Sequence, residues 1–152
     1  MTPDTAPVWQ RRLLIALVAW MAVSFTVGAL TKFYWDDTFF GPAYAEKFAG
    51  WGYPSWFRFP VGAGELVGAG LLLTARTRVH GAALLAFITA GGTLTHIVNQ
   101  DALYQSVSAP LHLLLSVLVV WWYWPPDARE LWTLRGGATA DRGRTRDRAT
   151  AD

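Results

Sequence analysis

Apolar residues run along this chain in four long blocks, separated by short polar or aromatic connections. A helix rising about 1.5 Å per residue needs roughly 20 apolar residues to cross a hydrocarbon core about 30 Å thick. Four segments meet that requirement: Leu13 to Leu30, free of charge; Ser55 to Ala75, with Arg58 near its end and Glu65 inside; Gly81 to Val98; and Ala102 to Trp124. The last ends in the cluster WWYW before Pro125 and Pro126. Prolines stop a helix because they lack the backbone N–H and clash with the preceding turn. The pattern predicts an all-α fold, a four-transmembrane-helix bundle over residues 13–124, between an N-terminal segment 1–12 and a tail 125–152. Arg11 and Arg12 before the first block also fit a cleaved signal peptide, but its 18 residues exceed a usual signal core and three further spans follow.

The first connection, Phe33 to Phe59, is the exception among the polar intervals, since 12 of its 27 residues are Phe, Tyr or Trp. Aromatic rings favour the headgroup boundary, so the segment is expected to lie along the membrane surface or fold back over the bundle. Within it, Pro42 as a start, a short helix-forming run and Gly50 as a stop predict an interfacial helix from about Pro42 to Ala49. Two readings stay open for this segment: an aromatic belt, or a lid over a site.

Composition narrows the class. Of 152 residues 53% are apolar and 16% charged, which excludes intrinsic disorder, and the absence of cysteine excludes both a disulfide-stapled domain and a dithiol centre of the chain's own. The charges act as positional labels. With four spans, ten Lys and Arg residues fall on the side of the two termini and three on the other, so both termini are expected in the cytoplasm of a multi-pass cell-membrane protein. The tail from Gly136 onward has almost nothing to bury and is expected to be disordered. Its arginines read as a retention signal and a contact for anionic lipid, not as a nucleic-acid arm.

Ionisable residues inside spans are costly and normally face the bundle interior with a partner. Glu65 lies among Gly62, Gly64, Gly68 and Gly70, and the Gly64 to Gly68 spacing admits a close helix approach within or between chains. Lys32 ends the first span on the same side, with Gly28 and Ser24 behind it at helical spacing, and could meet Glu65. His96 belongs to the stripe Thr89, Thr93, His96, Gln100, and His112 to the stripe Gln105, Ser108, His112, Ser116. Lys32, Glu65, His96 and His112 thus come from four separate segments to a similar depth in the outer half of the membrane. Glu65, His96 and His112 are the catalytic candidates, and Lys32, His96 and His112 the cofactor-binding ones. Each also has a structural reading, the Lys32–Glu65 pair as a pin of helix register and the histidines as hydrogen-bonded packing residues. His80, beside Arg76 and Arg78, reads as a loop residue. No metal-ligand spacing, Gly-rich phosphate loop, nucleophile elbow or HExxH is present.

Gly28-x-x-x-Lys32-Phe33, the aromatic connection ending in GWGYPSWF, the run GAGELVGAGLLL around Glu65, and a third span ending in His96 together resemble the DoxX and DoxX-like family of small four-helix membrane proteins. The resemblance covers about residues 13 to 124; WWYWPPD stands where the family often has Gly-Pro-Gly, which points to a divergent DoxX-like branch. What it implies is an accessory membrane subunit of a quinone-linked or sulfur/thiol redox system. A quinone would sit in the outer-half pocket, and a redox partner protein would supply the electrons this cysteine-free chain cannot. The residues alone leave two alternatives: a lipid-phase isomerase or cyclase using Glu65 and a histidine as acid and base, and a non-enzymatic assembly or chaperone subunit.

Overall fold

The computed structural model describes residues 7–38 and 41–124. Within them the chain forms α1 (Val8–Phe33), α2 (Tyr44–Gly50), a 3-10 turn Ser55–Phe57, α3 (Arg58–Leu73), α4 (Arg78–Val98), α5 (Leu103–Ser106) and α6 (Ser108–Tyr123). This is an all-α membrane bundle of four long elements, with α2 lying across one end. That end is called the α2 end below. Three stretches, Val8–Phe33, Arg78–Val98 and Leu103–Tyr123, are long and apolar enough to cross a membrane. α3 has 16 residues, about 24 Å of helix, and reaches about 30 Å with the 3-10 turn that precedes it.

Two boundaries differ from the sequence reading for identifiable reasons. The first helix begins at Val8, so Arg11 and Arg12 lie within it instead of in a separate leading segment. The last span is interrupted at Val107. Pro110 lacks the N–H that would bond the Ser106 carbonyl and its ring crowds that turn, so α6 restarts with proline in its first turn, where proline is tolerated. The tail beyond Trp124 lies outside the described residues.

Backbones run closely together at α1/α3, α3/α4 and α4/α6. Glycines make the α3 contacts possible. A methyl group built on Gly62 would come within 2.9 Å of the Phe33 ring and 3.3 Å of the Ala29 carbonyl, and one on Gly81 within 2.7 Å of the Gly68 carbonyl. The Gly64 to Gly68 spacing is used inside the chain, against Ile88 and Leu85 of α4. The core is apolar and fills the half of the bundle toward the termini: Val18, Met21 and Phe25 from α1, Ala69 and Leu72 from α3, Ala82 and Leu85 from α4, and Val119 from α6. At the turn into α4, Thr77 Oγ1 and Arg78 Nε donate to the Leu71 and Leu72 carbonyls, which α3 itself leaves open.

α2 ends in a Schellman turn. Tyr53 N–H donates to the Phe48 carbonyl and Gly52 N–H to the Ala49 carbonyl, with Gly52 at φ 82°. The rings of Phe48 and Tyr53, 6.1 Å apart, supply the apolar contact that accompanies this motif. Gly50, expected as the stop, is instead the last helical residue; the left-handed position falls two residues later.

A charged and imidazole-bearing candidate site

The polar residues singled out above gather in the half of the bundle nearer α2, in three groups and not in one pocket. The first joins α1 to α3. Lys32 Nζ donates to Glu65 Oε2 at 2.7 Å and to the Gly28 carbonyl at 3.2 Å, and lies 4.6 Å from the centroid of the Tyr44 ring on α2. Both side chains are buried, 9% and 10% exposed. The three ammonium N–H groups therefore meet a carboxylate, a carbonyl and a ring face. Glu65 is two turns into α3, and Gly62, one turn above it, lets the Lys32 stem lie flat against that helix.

The second group bridges α1 and α6, whose backbones do not run together along their length as the other neighbouring pairs do. His112 Nδ1 is 2.8 Å from the Ser108 carbonyl, an acceptor, so this nitrogen carries the proton. The Ser24 hydroxyl then donates to Nε2 at 2.8 Å in the neutral imidazole. Trp20 stacks on the His112 ring with centroids 5.3 Å apart, and Phe25 meets its edge at 5.0 Å. His112 is half-buried and Trp20 is exposed at this seam. Ser24, Gly28 and Lys32 are stacked on one face of α1, so the first two groups share that helix face.

His96 stands apart from both. Its Nδ1–H donates to Asp101 Oδ2 at 2.6 Å, and the Trp51 indole donates to the same oxygen at 2.9 Å. Local backbone geometry makes this pair. α4 closes in a second Schellman turn, in which Asp101 N–H donates to the His96 carbonyl and Gln100 N–H to the Ile97 carbonyl, with Gln100 at φ 54°. The two positions that usually make an apolar contact across such a turn are here His96 and Asp101. With Trp51 bonded to Asp101 and Tyr53 Oη 3.1 Å from Thr95 Oγ1, this turn also ties down the segment that follows α2.

Of the expected residues, then, Lys32 and Glu65 meet, His112 joins α1, and His96 faces the interfacial segment. The remaining members of the two stripes divide. Thr89 and Thr93 bond back to their own helix, Ser116 is fully buried, and Gln100 and Gln105 are exposed. Among the described residues no three His, Asp or Glu side chains converge as a metal site would require. Three contributors were missed. Tyr44 and Trp51 counted only as belt aromatics, and Arg58, noted only as lying near the end of its span, is 1% exposed, with Nη1 donating to the Tyr34 carbonyl at 2.7 Å. Its position at the start of a span was visible; its burial follows from the fold of the aromatic connection around it.

The sequence profile of the DoxX-like family matches residues 16–120, well over half of the chain. No curated protein and no solved structure matches it significantly.

Proposed function

The chain belongs to the DoxX-like family, and on that footing we propose that it is the membrane subunit of a quinone-linked redox system, holding a quinone head at the α1/α6 seam. The observation that carries this reading is the Ser24–His112 hydrogen bond. It places a hydroxyl and an imidazole, flanked by the exposed Trp20 ring, where the bundle is least closed by backbone packing. A quinone carbonyl is an acceptor on a flat apolar ring. It fits a site whose hydroxyl donor can swing from Nε2 to the carbonyl and whose indole can stack on the ring. The bound quinone supplies the redox chemistry. The chain's residues bind and orient its head and, at His112 Nε2, hold a proton. Electrons come from a partner protein, because the chain has no cysteine. The excess of Lys and Arg toward the termini supports an orientation with both termini cytoplasmic and the α2 end outward.

The Lys32–Glu65 geometry favours a register pin for that pair. An acid–base role in an isomerase or cyclase asks for a carboxyl free to give and take a proton, whereas Glu65 is bound to an ammonium at 2.7 Å. The test is titration of the purified protein with a short-chain quinone, read by quenching of its tryptophans, together with solvent extraction for co-purified quinone. His112→Phe, which keeps the stack and removes the bond, is expected to weaken binding about tenfold, the value of one hydrogen bond. Quenching unchanged in His112→Phe, or no quinone extracted and no quenching in the parent protein, removes the support for this reading.

A further inference from the structure

Among the described residues the buried charged side chains are Lys32, Glu65 and Arg58. Lys32 and Glu65 neutralise each other. Among the described residues no carboxylate pairs with Arg58, whereas Lys32 pairs with Glu65. Asp37, near in sequence to the rings around Arg58, accepts the Ala43 N–H at 3.0 Å instead. The α1/α3 seam therefore encloses one positive charge more than it balances, and an unpaired buried charge is among the costliest arrangements a protein can hold.

The guanidinium is also short of acceptors. It carries five N–H donors in a planar fork. Nη1 donates to the Tyr34 carbonyl, Nε is buried with no hydrogen-bond partner, and Nη2 makes no bond to the described residues. Its carbon lies 4.6 Å from the Trp35 centroid and 4.5 Å from that of Phe59. Those two rings are 5.9 Å apart, so they form a corner against which the guanidinium rests and do not clamp it between opposite faces. The rings offset part of the charge and satisfy none of the N–H groups. Trp35 follows α1 on a non-helical stretch and is 73% exposed, so one ring alone covers this side of the guanidinium.

We propose that Arg58 anchors an oxyanion site at the α2 end, taking the phosphate of an anionic lipid headgroup or a free tetrahedral oxyanion. The Nε–H and Nη2–H edge of the fork matches two oxygens of such a group, and its negative charge balances the seam. Tyr34, whose carbonyl takes Nη1, and Trp35, whose ring covers the guanidinium, are both exposed, so the fork lies just beneath the surface at the level where aromatic side chains meet lipid headgroups. It is independent of the quinone reading, since neither Ser24 nor His112 takes part.

The test is thermal unfolding of the full chain in a non-ionic detergent, with added phosphatidylglycerol, phosphatidylcholine, sodium phosphate, or sodium chloride matched in ionic strength. A ligand about tenfold above its dissociation constant is expected to raise the midpoint by roughly 3 °C. A rise with phosphatidylglycerol alone identifies the lipid source, and a rise with phosphate as well identifies a free oxyanion; either result supports the site. Arg58→Gln is expected to abolish the rise. Arg58→Lys, which keeps the charge and loses the fork, should raise the half-saturating concentration about tenfold and serves if the glutamine variant does not fold. Equal rises with phosphatidylcholine or sodium chloride, no rise with any addition, or a response unchanged in Arg58→Lys would overturn the proposal.

Discussion

Breaking the Lys32–Glu65 pair from one side should cost far more than removing it whole. The pair is 2.7 Å long and both side chains are about nine-tenths buried, so solvent screening takes little from it. Two unit charges about 4 Å apart attract by about 4 kcal/mol at an effective dielectric near 20, and removing one partner of a buried pair typically costs about 3–5 kcal/mol because the other charge is left unpaired. Glu65→Gln strands the ammonium, while Lys32→Met strands the carboxylate; each is expected to lose about 3–5 kcal/mol. The double variant Lys32→Met/Glu65→Gln leaves an amide and a thioether of similar volume and should lie within about 1 kcal/mol of the parent, which makes the coupling energy about 5 kcal/mol or more. Reversible unfolding in mixed micelles, followed by helical circular dichroism for the four proteins, closes the cycle. Single variants within about 1 kcal/mol of the parent, or a double variant as unstable as the two losses added, would refute the argument that the pair is a matched buried unit. Quinone quenching in the double variant separates the roles further: retained binding marks a pin, and lost binding in a stable protein marks a direct part in the site.

Four other substitutions test the packing and the turns. Gly81→Ala should destabilise by about 1–3 kcal/mol, because its methyl would sit within 2.7–2.8 Å of the α3 backbone at Gly68 and Leu72, whereas Gly70→Ala, with open space around it, should be neutral or gain about 0.5 kcal/mol from helix propensity; paired melting curves decide. Gln100→Gly relieves a left-handed backbone and should stabilise by up to about 1 kcal/mol while leaving the Trp51–Asp101 bond in place, which slower proteolysis after α2 would report. Ser116 Oγ is fully buried and lacks a partner among the described residues, so Ser116→Ala should gain about 1 kcal/mol; a loss instead would indicate that the hydroxyl bonds a group held one turn beyond His112.

Much of this architecture could be read from apolar periodicity, because in a bilayer the lengths of spans and the penalty on charge leave few alternatives. Lys32 and Glu65 could be matched in advance: both lie on antiparallel neighbours near the same end, and each would otherwise be an unpaired charge in hydrocarbon. The destinations of the histidines could not. Helical spacing gives His96 a face but not the turn geometry, and a glutamine in the left-handed conformation is what swings Asp101 back onto it. His112 was expected in a pocket with Glu65. Its ring instead reaches across to Ser24, since the widest gap between neighbouring helices lies at α1/α6 and a large flat side chain fills it. Pro110 was readable as a helix breaker in principle, yet the apolar run around it outweighed the missing N–H.

The distribution of polar groups along the bundle axis bears on how the site can work. Toward the termini, Val18, Met21, Leu72, Leu85 and Val119 close the interior with apolar side chains, each 3% exposed or less. Toward α2 the interior holds an ion pair, an imidazole and a guanidinium, roofed by Tyr44, Trp51 and Trp35. A proton moving to or from His112 therefore meets hydroxyl, carboxylate and ammonium groups on the α2 side and a dry core on the other. Ser116 is the one buried hydroxyl beyond His112 on α6, and among the described residues it has no hydrogen-bond partner. In the quinone site proposed here, proton exchange along the bundle axis would therefore run toward the α2 end, where these polar groups lie. A redox partner acting on a quinone bound here would release or take up its protons at that end, whichever protein supplies the electrons.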